Sequence, residues 1–204
     1  MNQNIRLYFI LFIGMSLVFS CKNEATQKDI TGEEILYIKQ DTIFTKEGNS
    51  VVLDSIKKVY YLMRHAEKDS LPKDNPNLTE KGIKRGTLLA DILRQTRVDA
   101  IYSTFYTRTL FTVDSLADIK AMTISPYEHK NLRLLVDALQ SDDHIRSVVI
   151  VGHSNSTPAL ANSLVGKEVF NTTFDESDYD NFVIVYEKIN GQKEVLKLKY
   201  SVKE

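Results

Sequence analysis

Cysteine is nearly absent from this 204-residue chain: there is one, alongside no tryptophan and four prolines. A lone thiol closes no internal disulfide and builds no multi-thiolate zinc site, so a disulfide-stapled scaffold and a zinc-ribbon protein are both excluded. Eight glycines and four prolines are too few for a collagen-like repeat or a low-complexity chain. Charge of one sign is lacking too. Lys and Arg total 26 against 27 Asp and Glu, a net charge of -1, so no electrostatic excess exists to hold nucleic acid. What is present is 43% hydrophobic residues, enough for one domain with a sizeable core.

The single cysteine, Cys21, closes the apolar run 7–20, and Arg6 is the only charge before it. A basic start followed by an apolar stretch of about 7–15 residues is the pattern of a secretory signal. The run falls short of the roughly 20 residues that a spanning helix needs. Leu17-Val18-Phe19-Ser20-Cys21 resembles a bacterial lipoprotein box, in which cleavage before the cysteine leaves that residue to carry lipid. The resemblance implies export and a membrane anchor at Cys21, on the periplasmic or cell-surface side. A plain signal peptide with an incidental thiol is the other reading. The expected organisation is a signal over 1–20, a polar tether over 21–33, a β extension over 34–57 that adds a hairpin to the sheet edge, and a main domain over 58–204.

From Val59 the pattern alternates between strand and helix. Val59–Met63 and Val148–Val151 are continuous apolar runs of strand length, and Ala100–Ser103 and Ala121–Ser125 are shorter ones. Between them, apolar residues recur at helical spacing: Leu88, Leu89, Ile92 and Leu93; Leu110, Val113, Leu116 and Ala117; Leu132, Leu135, Val136 and Leu139. A last helix is predicted with Thr157 as its N-cap, Pro158 at its first position and Gly166 past its end. Strands buried on both faces and separated by helices predict an α/β three-layer sandwich, a mostly parallel sheet with helices on both faces. Asn190-Gly191 predicts a C-terminal antiparallel hairpin, whose second strand carries lysines on a solvated face.

The chemistry-bearing residues follow predicted strands. Arg64 and His65 follow the first core strand, Ser103, Thr104 and Arg108 the second, and His153 and Ser154 the strand Val148–Val151. In an open parallel sheet the carboxyl ends of the strands form the ligand crevice. Two guanidiniums there suit phosphate oxygens, and helix N-termini after Ser103 and Ser154 would add N–H donors. A neutral imidazole whose second nitrogen donates to a carbonyl is a nucleophile, and phosphoryl transfer needs mainly alignment and charge stabilisation. The side chains supply the cations, so the reading requires no metal and no cofactor.

These motifs resemble the histidine phosphatase superfamily, with its phosphoglycerate-mutase-like fold. The matching segments are Arg64-His65-Ala66-Glu67, Leu78-Thr79-x-x-Gly82, Tyr102-Ser103-Thr104 through Arg108-Thr109-x-x-Thr112, and Val151-Gly152-His153-Ser154. The resemblance implies that His65 is the phosphorylated nucleophile and that Arg64, Arg108 and His153 form the phosphate pocket, with Ser154 beside it. No long insertion separates Ser125 from Val148, which points to a short, phosphohistidine-phosphatase-like member with an open site. The substrate would be a phosphorylated small molecule or a phosphohistidine protein. Two departures bear on the proton donor. Ser154 stands where some members place an Asp. Glu128 lies where another branch carries its acid, though it also reads as a solvated loop carboxylate. A lipoprotein that binds a phosphorylated ligand without turnover is the alternative function. His129 and His144 read as surface residues, Glu67 and Lys68 as either site or solvent-facing residues, and Asp178 and Asp180 as turn formers.

Overall fold

The computed structural model describes residues 29–203, so the signal segment and Cys21 lie outside the described residues. The elements in chain order are β1 (Ile35–Lys39), β2 (Thr42–Thr45), β3 (Ser50–Val52), β4 (Ile56–Arg64), α1 (Glu80–Leu93), β5 (Ala100–Ser103) and α2 (Thr107–Lys120). They continue with β6 (Ile124–Pro126), α3 (Leu132–Ser141), β7 (Ser147–Gly152), α4 (Ser156–Val165), β8 (Asn181–Lys188) and β9 (Lys193–Lys199). The main sheet runs β6-β5-β7-β4-β8-β9. Its β6, β5, β7 and β4 pair in parallel, and β8 and β9 are antiparallel additions. The expected α/β sandwich and C-terminal hairpin are both present.

Burial explains the sequence pattern. Strand β7 is buried at every position and β4 from Lys58 onward, because helices cover both faces of the sheet. One face packs Tyr61, Met63, Val149 and Val151 against Leu89 and Leu93 of α1 and Val113 and Leu116 of α2. The other packs Leu62, Val148 and Ile150 against Leu135 and Leu139 of α3 and Leu160 and Leu164 of α4. The helices meet closely where side chains are missing. A Cβ on Gly82 would lie 2.2 Å from the Glu67 carbonyl oxygen, so the first turn of α1 can rest on the loop after β4 only with glycine there.

Several local expectations change. Segment 34–53 forms its own antiparallel sheet, β1-β2-β3, instead of extending the main one. It packs Ile35, Ile38, Ile43 and Val51 into the core cluster that holds Leu89 and Ile92. That packing sets the segment over the helix layer. The edge is met by residues just before β1: Gly32 N donates to Lys197 O at 2.7 Å and Lys199 N to Glu33 O at 3.0 Å. Ile30 is fully buried, so packed structure starts inside the stretch read as tether. Helix α4 is capped by Asn155, not Thr157, while Gly166 ends it at φ 79° as expected. Thr157 sits inside the helix because its hydroxyl donates to Met63 O at 3.3 Å. Strand β6 starts only at Ile124 because Ala121 is left-handed and ends α2. The β9 lysines are not simply solvated: Lys193 Nζ donates to Leu164 O and Lys197 Nζ to Val169 O, each at 2.9 Å.

Candidate active site

Strands β5, β7 and β4 are neighbours in the sheet, so their carboxyl ends lie side by side. Register pairs Arg64 with Gly152 and Ser103 with Val151, which brings three polar segments to one edge. The backbone ties them: His65 N donates to Gly152 O at 2.9 Å. Gly152 must lack a Cβ, which would sit 2.7 Å from the Tyr127 hydroxyl and 2.8 Å from Ser156 Oγ. Above this edge is a cavity of about 340 Å³ lined by His65, Arg108, His153 and Ser154, with Lys68, Tyr106, His129, Asn155, Thr173 and Glu176.

His65 is buried, with Nδ1 2.8 Å from the carbonyl oxygen of Ala66. A carbonyl only accepts, so Nδ1 carries the proton and Nε2 keeps its lone pair. Burial depresses its pKa to about 3, and the Arg64, Arg108 and His153 charges push the same way, so the ring is neutral at physiological pH. The loop that holds it is fixed by Thr112. That hydroxyl accepts from Ala66 N at 2.8 Å and donates to Arg108 O at 2.7 Å, joining the nucleophile loop to α2.

His153 stands edge-on to His65, the ring centroids 5.6 Å apart. Its Nε2 lies 3.0 Å from Thr104 Oγ1, which donates to Thr109 Oγ1 at 3.0 Å. Burial, with the Arg108 charge next in weight, lowers its pKa to about 4. Arg108 stacks on Tyr106, its Cζ 4.3 Å from the ring centroid, and its buried Nε has no partner among the described residues.

Arg64 sits deeper than the sequence suggested and is almost fully committed. Its Nη1 donates to the carbonyl oxygens of Asp175 (3.0 Å), Glu176 (2.9 Å) and Asp178 (3.4 Å). Its Nη2 pairs with Glu176 Oε2 at 2.6 Å, and Tyr179 stacks on it at 4.2 Å. Among the described residues its buried Nε has no partner. The acidic turn before β8 is therefore a wall of the site, not merely a turn. Ser154 Oγ also donates to Glu176, at Oε1.

The other candidates divide. Glu128 is exposed, accepts from Lys130 N at 3.3 Å, and borders a neighbouring depression with Phe105 and Tyr127 that shares Tyr106 and His129 with the cavity. His129 does reach the cavity, its ring 4.9 Å from that of His153, which corrects its reading as a surface residue. Lys68 lines the cavity, whereas Glu67 turns away to hold buried Arg85 at 2.7 and 2.8 Å. Asp180 also pairs with Arg85, at 2.8 Å. His144 is exposed as read. The expected N–H donors of α2 are fewer, since Thr107 N is spent on Asn75 Oδ1 at 2.8 Å. Glu176 and Tyr179 were not singled out, and their one sequence signal was an acidic run placed just before a strand.

Comparison with known proteins agrees with this architecture. The family model "Histidine phosphatase superfamily (branch 1)" matches residues 60–133. No curated protein matches in sequence. Among solved structures, the protein histidine phosphatase SixA complexed with tungstate is 16% identical with a TM-score of 0.55, over 69% of this chain and 96% of that one. The α-ribazole phosphatase from Shigella flexneri is 12% identical with a TM-score of 0.58, over 72% and 100%. A mycobacterial glucosyl-3-phosphoglycerate phosphatase is 12% identical with a TM-score of 0.55, over 71% and 99%. At these identities the likeness is one of fold. The matched segment carries Arg64, His65 and Arg108 in order, so over residues 60–133 the chain is similar to the histidine phosphatase superfamily, and it shares the fold of these solved phosphatases.

Proposed function

We propose that the protein is a phosphatase that hydrolyses phosphomonoesters or phosphohistidine through a phosphohistidine intermediate on His65. One observation carries the reading: a neutral histidine with its lone pair on Nε2 stands in a cavity lined by Arg108, and the buried Nε–H groups of Arg108 and of Arg64, the residue before His65, have no partner among the described residues. Buried donors are normally satisfied, so this pair marks a place for an oxyanion. SixA, one of the structural neighbours, is complexed with tungstate, a tetrahedral oxyanion.

In the proposed reaction, Nε2 of His65 attacks phosphorus and the bond to the leaving oxygen breaks. Arg64, Arg108 and His153 hold the phosphoryl oxygens as charge develops. Water then attacks the phosphohistidine, the P–N bond breaks, and inorganic phosphate leaves. The cavity is open and polar, so it recognises the phosphoryl group more than what is attached to it, and both substrate classes fit. The test is hydrolysis of 4-nitrophenyl phosphate by the purified chain, with trapping of acid-labile, base-stable phosphate on the protein. His65→Ala should abolish both signals; turnover that survives the substitution removes His65 as nucleophile.

The N-terminal segment adds a place to this reading. Cleavage before Cys21 and lipidation of that thiol would tether the phosphatase to the outer side of a membrane. Mass spectrometry of the mature N-terminus checks this, and an unlipidated end at another residue overturns it.

A further inference from the structure

The phosphatase reading leaves the leaving group without a proton. Carboxylates are plentiful near the sheet edge, but most do not line the cavity. Glu67 and Asp180 hold Arg85. Asp175 accepts from Ser177 N and Oγ, and Asp178 from Asp180 N. Glu128 borders the neighbouring depression instead of the cavity. Among the described residues lining the cavity, Glu176 is the one carboxylate.

From this geometry we propose that Glu176 is the general acid that protonates the leaving oxygen, an inference that rests on the phosphatase reading. Its position is built, not incidental. Phe174 N donates to Ser154 O at 2.9 Å, and Arg64 Nη1 gathers three carbonyl oxygens of the segment. The carboxylate then bridges Arg64 Nη2 and Ser154 Oγ. Ser154 directly follows His153, so the bridge holds Glu176 beside the phosphate pocket. Its side chain keeps 76% of its accessible surface, so it reaches both a leaving group at the mouth and water that reloads it.

The proton balance closes. A phosphomonoester has a second pKa of about 6, so its monoanion enters carrying one proton. In the proposed step Glu176 takes up that proton from the bound monoanion. When Nε2 of His65 attacks, the electron pair of the breaking P–O bond goes to the leaving oxygen, which takes that proton from Glu176. The ionised Glu176 then accepts a proton from the attacking water. The P–N electron pair returns to Nε2, and alcohol and inorganic phosphate are released. A donor of this kind extends the substrate class to alkyl phosphates, whose alkoxides leave slowly unaided.

The experiment compares Glu176→Gln with the unmodified chain on two probes, 4-nitrophenyl phosphate and an alkyl phosphate such as glycerol 2-phosphate. General acids contribute about 10²–10⁴-fold, so the alkyl substrate should lose kcat/KM on that order. The aryl substrate, whose leaving group needs little help, should lose at least tenfold less. Thermal melting checks that Glu176→Gln is folded, and Glu176→Asp should restore part of the alkyl rate. Equal losses on both probes would overturn the proposal and leave Glu176 as a residue that positions Arg64. The selective loss appearing in Glu128→Gln instead would overturn it in favour of that residue. Both results leave the phosphatase reading standing, because His65-dependent turnover persists. Absence of any His65-dependent turnover overturns that reading and this proposal together.

Discussion

Strand β4 carries a buried cation near each end, and the two are treated oppositely. Lys58, 2% exposed, enters under the C-terminus of α3, where Nζ donates to Leu139 O at 2.6 Å, Gln140 O at 3.3 Å and Asp142 O at 2.8 Å. Those are carbonyls that a helix end leaves unpaired, at the negative end of its dipole, so the ammonium spends all three of its donors on the fold. Arg64, 1% exposed, is bonded to the 175–178 segment but keeps its Nε–H free of any partner. Arg85, also 2% exposed, resembles Lys58: Glu67, Asp180 and the Tyr200 carbonyl take up its donors. Burial alone therefore does not mark a functional cation. What sets Arg64 apart from Lys58 and Arg85 is a buried Nε–H left over, among the described residues, after the fold has been satisfied.

The sharpest way to break this comparison is to remove Arg64. Arg64→Ala should lower kcat/KM for 4-nitrophenyl phosphate on the order of 10³, since it takes a transition-state donor and also releases Glu176. It should also cost about 1–3 kcal/mol of stability, because carbonyls of the 175–178 segment lose their partner. Urea titration with parallel kinetics reads both effects. A variant that is stable but inactive would show that Arg64 serves chemistry alone.

Arg108 sharpens the contrast, because it makes fewer commitments to the fold. Arg108→Ala should cost about 10²–10³ in kcat/KM. Its unfolding midpoint should move little, since the guanidinium contributes mainly its stack on Tyr106. A large fall in stability with modest loss of rate would place Arg108 with Lys58 instead. Lys58→Met is the reverse experiment. It leaves three helix-end carbonyls without their donor, so stability should drop by about 1–3 kcal/mol while kcat/KM per folded molecule stays the same. Loss of rate beyond the loss of folded protein would mean that the two ends of β4 are coupled.

How far the sequence reached follows the same line between local pattern and tertiary commitment. The apolar runs of β4 and β7 and the helical stripes of α1 and α3 could be read directly, because burial on both sheet faces writes itself into consecutive residues. Arg64, His65, Arg108 and His153 could be read because each follows such a strand within a few residues. Glu176 and Tyr179 could not, since nothing in an acidic turn says that Arg64, 112 positions earlier, will gather its carbonyls. His129 and Glu128 are adjacent, and only the path from β6 into α3 decides which of them enters the cavity. The N-cap of α4 moved from Thr157 to Asn155 for a similar reason. Thr157 is a good capping residue locally, but its hydroxyl is needed by Met63 O on β4.

The smallest predicted effect concerns pH, and it separates the site histidines from the saturated lysine. Burial holds the folded pKa of His65 at about 3 and of His153 at about 4, against 6.5 for an ordinary histidine. Below pH 6.5 the unfolded chain therefore takes up protons that the folded chain refuses, so stability falls as pH falls, down to the folded values. Between pH 6.5 and 5.5 each histidine should cost about 1 kcal/mol. That window lies above most carboxylate titration, which keeps the effect assignable. Replacing either histidine with Gln should flatten the slope by that amount in urea titrations at the two pH values, whereas Lys58→Met should shift the whole curve without changing its slope. A slope unchanged in His65→Gln would mean that His65 titrates in the folded protein as it does in the unfolded chain, so that burial does not hold its ring neutral below pH 6.5.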